Sequence, residues 1–175
     1  LHKNVTVQGV NVFYREAGDK NKPTILLLHG YPTSSHMFRN LITDLSVQYH
    51  VLAPDYPGFG RSDQPAIADF EYTFDNMANI VEGFLEELKV EKYSIYLMDY
   101  GAPIGFRIAS KYPERVESLI IQNGNAYLDG LTPSRQAFFK TAKEDNSTLQ
   151  LDKLYGFTGQ QAIVNKQYLR DVQSA

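Results

Sequence analysis

A single carboxylate, Asp99, stands where a short strand turns directly into a helix. Residues 93–98 predict the strand, since polar and aromatic positions alternate with Ile95 and Leu97, and residues 102–111 predict the helix. Such a turn lifts its central side chain clear of the sheet and directs free helix N–H groups toward it. Asp99 is therefore a candidate nucleophile, although Asp is also a favoured helix N-cap residue and could serve only that role.

The composition restricts the partners and cofactors that this chain can use. Its 175 residues include 17 basic and 20 acidic side chains, and the net charge of −3 gives no case for nucleic acid or an acidic membrane surface. It has no cysteine, and its four histidines lack the spacing of a metal site. We therefore expect neither a metal nor a cofactor, and neither a nucleic-acid nor a membrane partner. No signal peptide or membrane span is evident, and we expect a cytoplasmic protein.

Strands and helices alternate over the first 125 residues. The predicted elements are a hairpin over 5–16, strands over 24–28, 50–54 and 116–122, and helices over 36–45 and 75–88. Residues 119–121 are expected to be the buried centre of their strand. This order predicts an α/β fold with a mostly parallel sheet and helices on both faces. Ligands bind beyond the carboxyl ends of such strands, where His29, Asp55 and Asp99 all lie.

The alternation stops after residue 125. Helices are predicted over residues 134–143 and 159–172, and no strand pattern occurs in this part of the sequence. We therefore divide the chain into residues 1–125, which form the main α/β part, and residues 126–175, which form part of a helical cap over the strand ends.

Three motifs, in this order, resemble the α/β-hydrolase superfamily. They are His-Gly-Tyr-Pro at 29–32, Asp-Tyr-Pro-Gly-Phe-Gly-Arg-Ser-Asp at 55–63 and Asp-Tyr-Gly-Ala-Pro-Ile-Gly at 99–105. The resemblance covers residues 1–125 and implies that fold. An Asp at the turn is similar to the branch of epoxide hydrolases and haloalkane dehalogenases. In that branch the carboxylate attacks a saturated carbon and forms an ester, which a water activated by histidine then cleaves.

The resemblance also implies roles for individual residues. Asp99 would be the nucleophile, and the main-chain N–H groups of Tyr31 and Tyr100 would stabilise the oxyanion. The residues expected to line the substrate pocket are His29, Gly30, Pro32, Tyr127, Tyr155 and Tyr168. Among these, His29 is expected to brace its loop rather than act as the base. The last three tyrosines are candidates to donate a proton to an epoxide oxygen.

Some sequence features favour an epoxide as the substrate, and others favour an organohalide. Haloalkane dehalogenases hold the halide with tryptophan side chains, and this chain has no tryptophan. The aromatic Tyr31 in the His-Gly-Tyr-Pro motif is similar to epoxide hydrolases. Leu97, two residues before Asp99, and the sequence over 105–116 are similar to dehalogenases instead. Epoxide hydrolysis is therefore the favoured prediction, with haloalkane or haloacetate dehalogenation as the alternative.

The catalytic base of this branch follows the nucleophile in sequence, but no histidine follows Asp99. The resemblance also implies more strands than the six predicted here. We therefore expect the N-terminal portion of a longer protein, inactive alone, whose partner would be the missing C-terminal half or a second copy in a homodimer. A protein that kept the fold only to bind a ligand is the alternative of another class. An esterase is disfavoured, because esterases of this superfamily place Ser at the turn.

Overall fold

The computed structural model describes residues 1–144 and 159–165. The chain forms two compact units, Leu1–Ala126 and Tyr127–Ala175. In the described residues, no helix combines the length and the apolar character needed to cross a membrane.

The first unit is built on one six-stranded sheet. Its strands are β1 (His2–Val7), β2 (Val10–Ala17), β3 (Thr24–Leu28), β4 (His50–Pro54), β5 (Tyr93–Met98) and β6 (Val116–Gln122). Their order across the sheet is β1-β2-β4-β3-β5-β6. β1–β2 and β2–β4 pair antiparallel, whereas β3–β4, β3–β5 and β5–β6 pair in parallel. The mostly parallel sheet confirms the predicted fold class.

Helices cover both faces of this sheet. They are α1 (Arg39–Leu45), α2 (Phe74–Glu87) and α3 (Gly101–Lys111). The α2 and α3 helices belong to the larger apolar core, whereas α1 belongs to the smaller one. The predicted helix over 36–45 was wrong in part, because its first turn is a 3₁₀ turn, Ser35–Phe38, that begins at a Ser34 cap.

The continuous apolar sequence of β3 follows from its central position in the sheet. Leu26 and Leu28 belong to the larger core, whereas Ile25 and Leu27 belong to the smaller core on the opposite face. Since successive side chains of a strand point to opposite faces, a strand buried on both sides needs apolar residues at every position. The run of leucines therefore fixes β3 between two helical layers, and it positions the loop that follows at residue 29.

The expected burial at the centre of β6 was wrong. Leu119, Ile120 and Ile121 are 37%, 45% and 52% exposed. The physical reason is the position of the strand, since β6 is the last strand of the sheet and pairs only with β5 among the described strands. An apolar sequence predicts a strand suited to burial, but its neighbours decide how much of it is covered.

The second unit contains helices, as its sequence predicts. Helix α4 (Pro133–Glu144) extends the prediction by one residue at each end. Helix α5 (Gln160–Ile163) lies within the predicted helix over 159–172, of which residues 166–172 are outside the described part of the chain.

A buried carboxylate, Glu16, holds the amino ends of the central strands together. Its side chain accepts hydrogen bonds from Lys3 and from His50 Nε2 at 3.0 Å, and it pairs with Lys20 at 3.3 Å. His50 Nδ1 in turn lies 3.1 Å from the hydroxyl of Thr24. Burial acts to raise the pKa of Glu16, but the hydrogen bonds from its basic neighbours prevail and lower that pKa to about 2.

The shifted pKa of Glu16 makes the stability of the fold depend on pH. An unfolded Glu has a pKa near 4.5, so this contribution is fully present above that pH and is lost as the pH falls toward 2. We expect the free energy of unfolding, measured by urea titration, to fall by roughly 2–3 kcal/mol over this range because of Glu16. Glu16→Gln should remove that part of the pH dependence, and the exposed Glu87→Gln should retain it. An unchanged pH dependence in Glu16→Gln would contradict the assignment.

Candidate active site

Asp99 occupies an unusual backbone position between β5 and α3. Its φ is +45°, in the left-handed region that Asp tolerates better than most residues but that still costs about 1 kcal/mol. The carboxylate is exposed and, in the described part of the chain, accepts no hydrogen bond from the first turn of α3, residues 101–103. The alternative role as a helix cap is therefore not what the side chain performs.

One oxygen of Asp99 is held by two main-chain donors. The N–H of Tyr31 and the N–H of Tyr100 each lie 2.8 Å from Asp99 Oδ1. Their loops follow β3 and β5, which pair in parallel, so the two donors converge from adjacent strand ends. The other oxygen, Oδ2, accepts no hydrogen bond within residues 1–144 and 159–165. The two oxygens of the carboxylate thus have different surroundings in the described part of the chain.

The approach of the Tyr31 loop to Asp99 requires a residue without a side chain at position 30. A Cβ atom on Gly30 would lie 2.6 Å from Asp99 Cβ and 2.9 Å from Oδ1, closer than real Cβ contacts allow. A similar limit applies at the start of α3, where a Cβ on Gly101 would lie 2.4 Å from the carbonyl oxygen of Leu28. These two glycines allow the loop and the helix to reach their positions beside the carboxylate.

His29 is fully buried, and both of its ring nitrogens are engaged. Nδ1 donates to the carbonyl of Gly30 at 3.0 Å, and Nε2 accepts from the N–H of Tyr56 at 3.4 Å. The ring stacks on Tyr56 with centroids 4.1 Å apart. Burial lowers the pKa of His29, although Asp55 and Asp99 act to raise it. This neutral ring braces the loop, in which the Tyr31–Pro32 peptide is cis.

A second buried carboxylate, Asp55, fixes the loop after β4. Its Oδ1 accepts from the N–H of Ser35 at 2.7 Å, and its Oδ2 accepts from the N–H of Arg61 at 2.9 Å. The Ser62 hydroxyl donates to the Asp55 carbonyl at 2.6 Å. Asp55 opens the sequence motif at residues 55–63, which by itself indicates no role for this side chain. The structure shows that it ties two loops beside the candidate site, so its charge is used for positioning.

Four aromatic rings from different elements, including that of Tyr100, meet beside Asp99. The ring of Tyr100 lies 5.5 Å from that of Tyr31, 5.1 Å from Phe74 and 6.3 Å from Phe59, centroid to centroid. The last two pairs meet edge to face, the arrangement that aromatic quadrupoles favour. Phe59 and Phe74 were missed as site residues, because one lies in a glycine-rich loop and the other at a helix start, where nothing local signals a pocket.

The three tyrosines predicted from the cap stay predictions. Tyr127 belongs to the second unit and is 79% exposed, whereas Tyr155 and Tyr168 lie outside the described residues. No group of three His, Asp or Glu side chains within residues 1–144 and 159–165 is arranged to hold a metal ion.

Comparisons with known proteins agree on the type of fold. A family model described as alpha/beta hydrolase fold matches residues 23–161. An uncharacterized hydrolase of Saccharomyces cerevisiae is 46% identical over 155 residues, which cover 89% of this chain and 52% of the yeast protein. A haloalkane dehalogenase of Mycobacterium marinum is 38% identical over 117 residues, which cover 66% of this chain and 39% of that protein.

Solved structures of a haloalkane dehalogenase and of an epoxide hydrolase have a similar architecture. A crystal structure of an ancestral haloalkane dehalogenase matches with a TM-score of 0.76 at 26% identity, over 95% of this chain and 57% of the other. A mutant epoxide hydrolase of Vigna radiata matches with a TM-score of 0.64 at 29% identity, over 69% of this chain and 37% of the other. The chain spans about half the length of these relatives, or less.

The close approach at Gly30 can be tested by adding a single methyl group. Gly30→Ala should push the Tyr31 N–H away from Asp99, because no space exists for the new Cβ. We expect faster hydrogen exchange of the Tyr31 amide and a loss of roughly 1–3 kcal/mol in the free energy of unfolding.

Gly9→Ala is the control for a substitution that causes no steric clash. Unlike Gly30, Gly9 has a positive φ, +83°, and a Cβ there meets nothing within 4 Å. Gly9→Ala should lower the free energy of unfolding by only about 1 kcal/mol, the cost of a side chain at a positive φ, and should leave the hydrogen exchange of the Tyr31 amide unchanged. Unaltered exchange of the Tyr31 amide in Gly30→Ala would contradict the proposed contact.

Proposed function

The chain belongs to the alpha/beta hydrolase fold family, and on that premise we propose that the intact protein is a hydrolase in which Asp99 attacks a saturated carbon. The observation that carries this proposal is the asymmetry of the carboxylate. Oδ1 is held by the N–H groups of Tyr31 and Tyr100, whereas Oδ2 accepts no hydrogen bond in the described residues. A nucleophile needs one free oxygen, and its ester needs two aimed donors on the other.

In the first step, Oδ2 forms a bond to the substrate carbon while the bond from that carbon to the leaving group breaks. The product is an ester of Asp99, and Oδ1 becomes its carbonyl oxygen. In the second step, water loses a proton to a base and attacks the carbonyl carbon, which places negative charge on Oδ1, between the two N–H donors. The bond from that carbon to Oδ2 then breaks, Oδ2 leaves with the alcohol product, and the carboxylate is restored with an oxygen from water. A serine at this position would instead form an ether, which water does not cleave. The residue type therefore fits attack on a saturated carbon.

Epoxide opening is the favoured first step. The oxygen released from an opening epoxide is basic and needs a proton, and the Tyr31 and Tyr100 side chains begin directly beside Asp99. A tyrosine hydroxyl is protonated near neutral pH, and burial and the charge of Asp99 raise the pKa of Tyr100 further. The aromatic rings beside Asp99 favour an apolar substrate.

Dehalogenation is the second candidate, and relatives named haloalkane dehalogenases support it. A halide ion leaves without a proton but needs hydrogen-bond donors or a positive edge. This chain has no tryptophan, so the side chains of Tyr31 and Tyr100 would have to take that role. Haloacetate, the third substrate considered, carries a carboxylate, and no contact in the described site favours it.

The second step needs a base that the described site does not supply. His29 is neutral, and both of its ring nitrogens are already engaged. No histidine follows Asp99 in this chain. We therefore propose that this chain forms the ester once and retains it, whereas the intact protein turns over. The non-catalytic alternative predicts no ester at all.

Intact-mass spectrometry of the chain after incubation with styrene oxide or bromoethane tests this proposal. Styrene oxide should add its whole mass once per chain. Bromoethane should add one ethyl group in place of a proton and release one bromide ion, which ion chromatography measures. Peptide mapping should locate either adduct on Asp99, and the reagent that reacts faster identifies the favoured chemistry.

The controls separate the nucleophile from other carboxylates. Asp99→Asn keeps the shape of the side chain and should form no adduct, whereas the exposed Asp44→Asn should react like the unaltered chain. An adduct that persists in Asp99→Asn, or the absence of any adduct in the unaltered chain, would rule out the assignment. In the second case the non-catalytic alternative would stand.

A further inference from the structure

Basic side chains from three elements surround a hollow on the first unit, away from the contacts made by Asp99. The hollow has a volume of about 260 Å³ and is lined by His2 of β1, Arg15 of β2 and Arg39 of α1. The aliphatic side chain of Ile42 lines another part of it. The whole chain carries a net charge of −3, so this local excess of positive charge is not the average character of the surface.

Arg15 makes three side-chain hydrogen bonds beside this hollow. Its Nη1 donates to His2 Nε2, its Nη2 donates to His36 Nδ1 at 3.3 Å, and its Nε donates to the Ser35 hydroxyl at 3.2 Å. A guanidinium has five N–H groups, so two of them remain for a further acceptor. Both imidazoles must accept from it, because a guanidinium can only donate.

Aromatic contacts hold the guanidinium groups in place. Those of Arg15 and Arg61 lie 5.8 Å and 5.4 Å from the centroid of the buried Phe13 ring. The His2 ring lies 5.6 Å from the same centroid. Cation–π contacts of this kind fix the direction of an arginine side chain, which reduces the entropy lost when an anion binds.

The basic cluster consists of His2, Arg15, Arg39 and Arg61, and no carboxylate in the described part of the chain neutralises its guanidinium groups. Within residues 1–144 and 159–165, Arg15, Arg39 and Arg61 form no ion pair. One carboxylate, Glu16, lines the hollow, but Lys3 and other basic groups already bind it. The proximity of Arg15 lowers the pKa of His2, as expected where like charges are crowded without an anion between them.

We propose that this hollow is a binding site for a phosphate group, either inorganic phosphate or the phosphate of a small phosphomonoester. Arg15 and Arg39 line the hollow together, and their guanidinium N–H groups suit a tetrahedral anion with several acceptor oxygens. The hollow also has an apolar wall at Ile42, which suits the organic part of a phosphomonoester. None of these residues takes part in the chemistry proposed for Asp99, so the site is separate from that function.

Calorimetric titration of the full chain with inorganic phosphate, and separately with glycerol phosphate, tests this proposal. Sodium chloride keeps the ionic strength constant in both arms, because general screening would otherwise imitate specific binding. We expect saturable binding at one site. The NMR signals of the His2 and His36 rings should shift along the same titration curve.

Two substitutions and a control define the site. Arg15→Gln and Arg39→Gln should each weaken phosphate binding about tenfold, because each removes a charge-assisted donor. Arg39 is exposed and, within the described residues, donates only to the His36 carbonyl, at 3.4 Å, so its substitution should leave the fold intact even if Arg15→Gln does not. Lys92→Gln removes an equal charge at an exposed position outside the cluster and should leave the affinity unchanged.

The outcomes decide both the proposal and the identity of the ligand. Equal affinity in the two arms indicates a site for free phosphate, and tighter binding of glycerol phosphate indicates a phosphomonoester site. The proposal is overturned if neither ligand binds at millimolar concentration. It is also overturned if Lys92→Gln weakens binding as much as Arg39→Gln does, or if the histidine signals do not move.

Discussion

Two main-chain N–H groups that meet on one carboxylate oxygen organise the candidate active site. They belong to Tyr31 and Tyr100, which are far apart in sequence but lie 2.8 Å from the same oxygen of Asp99. This geometry depends on the parallel pairing of β3 and β5, because parallel strands end on the same side of a sheet and neighbouring strands bring their loops close together. It also requires a glycine at position 30, since any side chain there would push the two loops apart.

The buried polar groups around the site have positioning roles. His29 links its own loop to Tyr56, and Asp55 binds N–H groups on either side of the same region. A buried charge or imidazole without partners would be costly, so each of these groups is retained together with the hydrogen bonds that satisfy it. The result is a set of loops held rigidly enough to keep two donors aimed at one atom.

The two ends of the central strands carry groups with different roles. At the amino ends of the central strands, Glu16, His50 and Thr24 form a buried polar network that contributes to stability. At the carboxyl ends, the loops after β3, β4 and β5 carry the carboxylate of Asp99, its two donors and the rings of Tyr31, Phe59 and Tyr100. Groups that stabilise the fold are thus separated by the length of the strands from Asp99, whose strained backbone contributes no stability.

The sequence by itself determined the parts of this protein that depend on local order. The apolar run of β3 and the abrupt change from strand to helix at Asp99 are visible within a few residues, and the limits of β3, β4 and β6 agree with their predictions. Motif spacing was enough to indicate the family.

Only the tertiary structure decided which atoms meet: Oδ1 of Asp99 with the Tyr31 N–H, the Phe59 and Phe74 rings with the tyrosines, and Arg15 with two histidines. It also decided that the centre of β6 is exposed. The reason is physical, since strand and helix patterns arise from neighbours in the chain, whereas burial and side-chain contacts depend on how segments distant in sequence pack together.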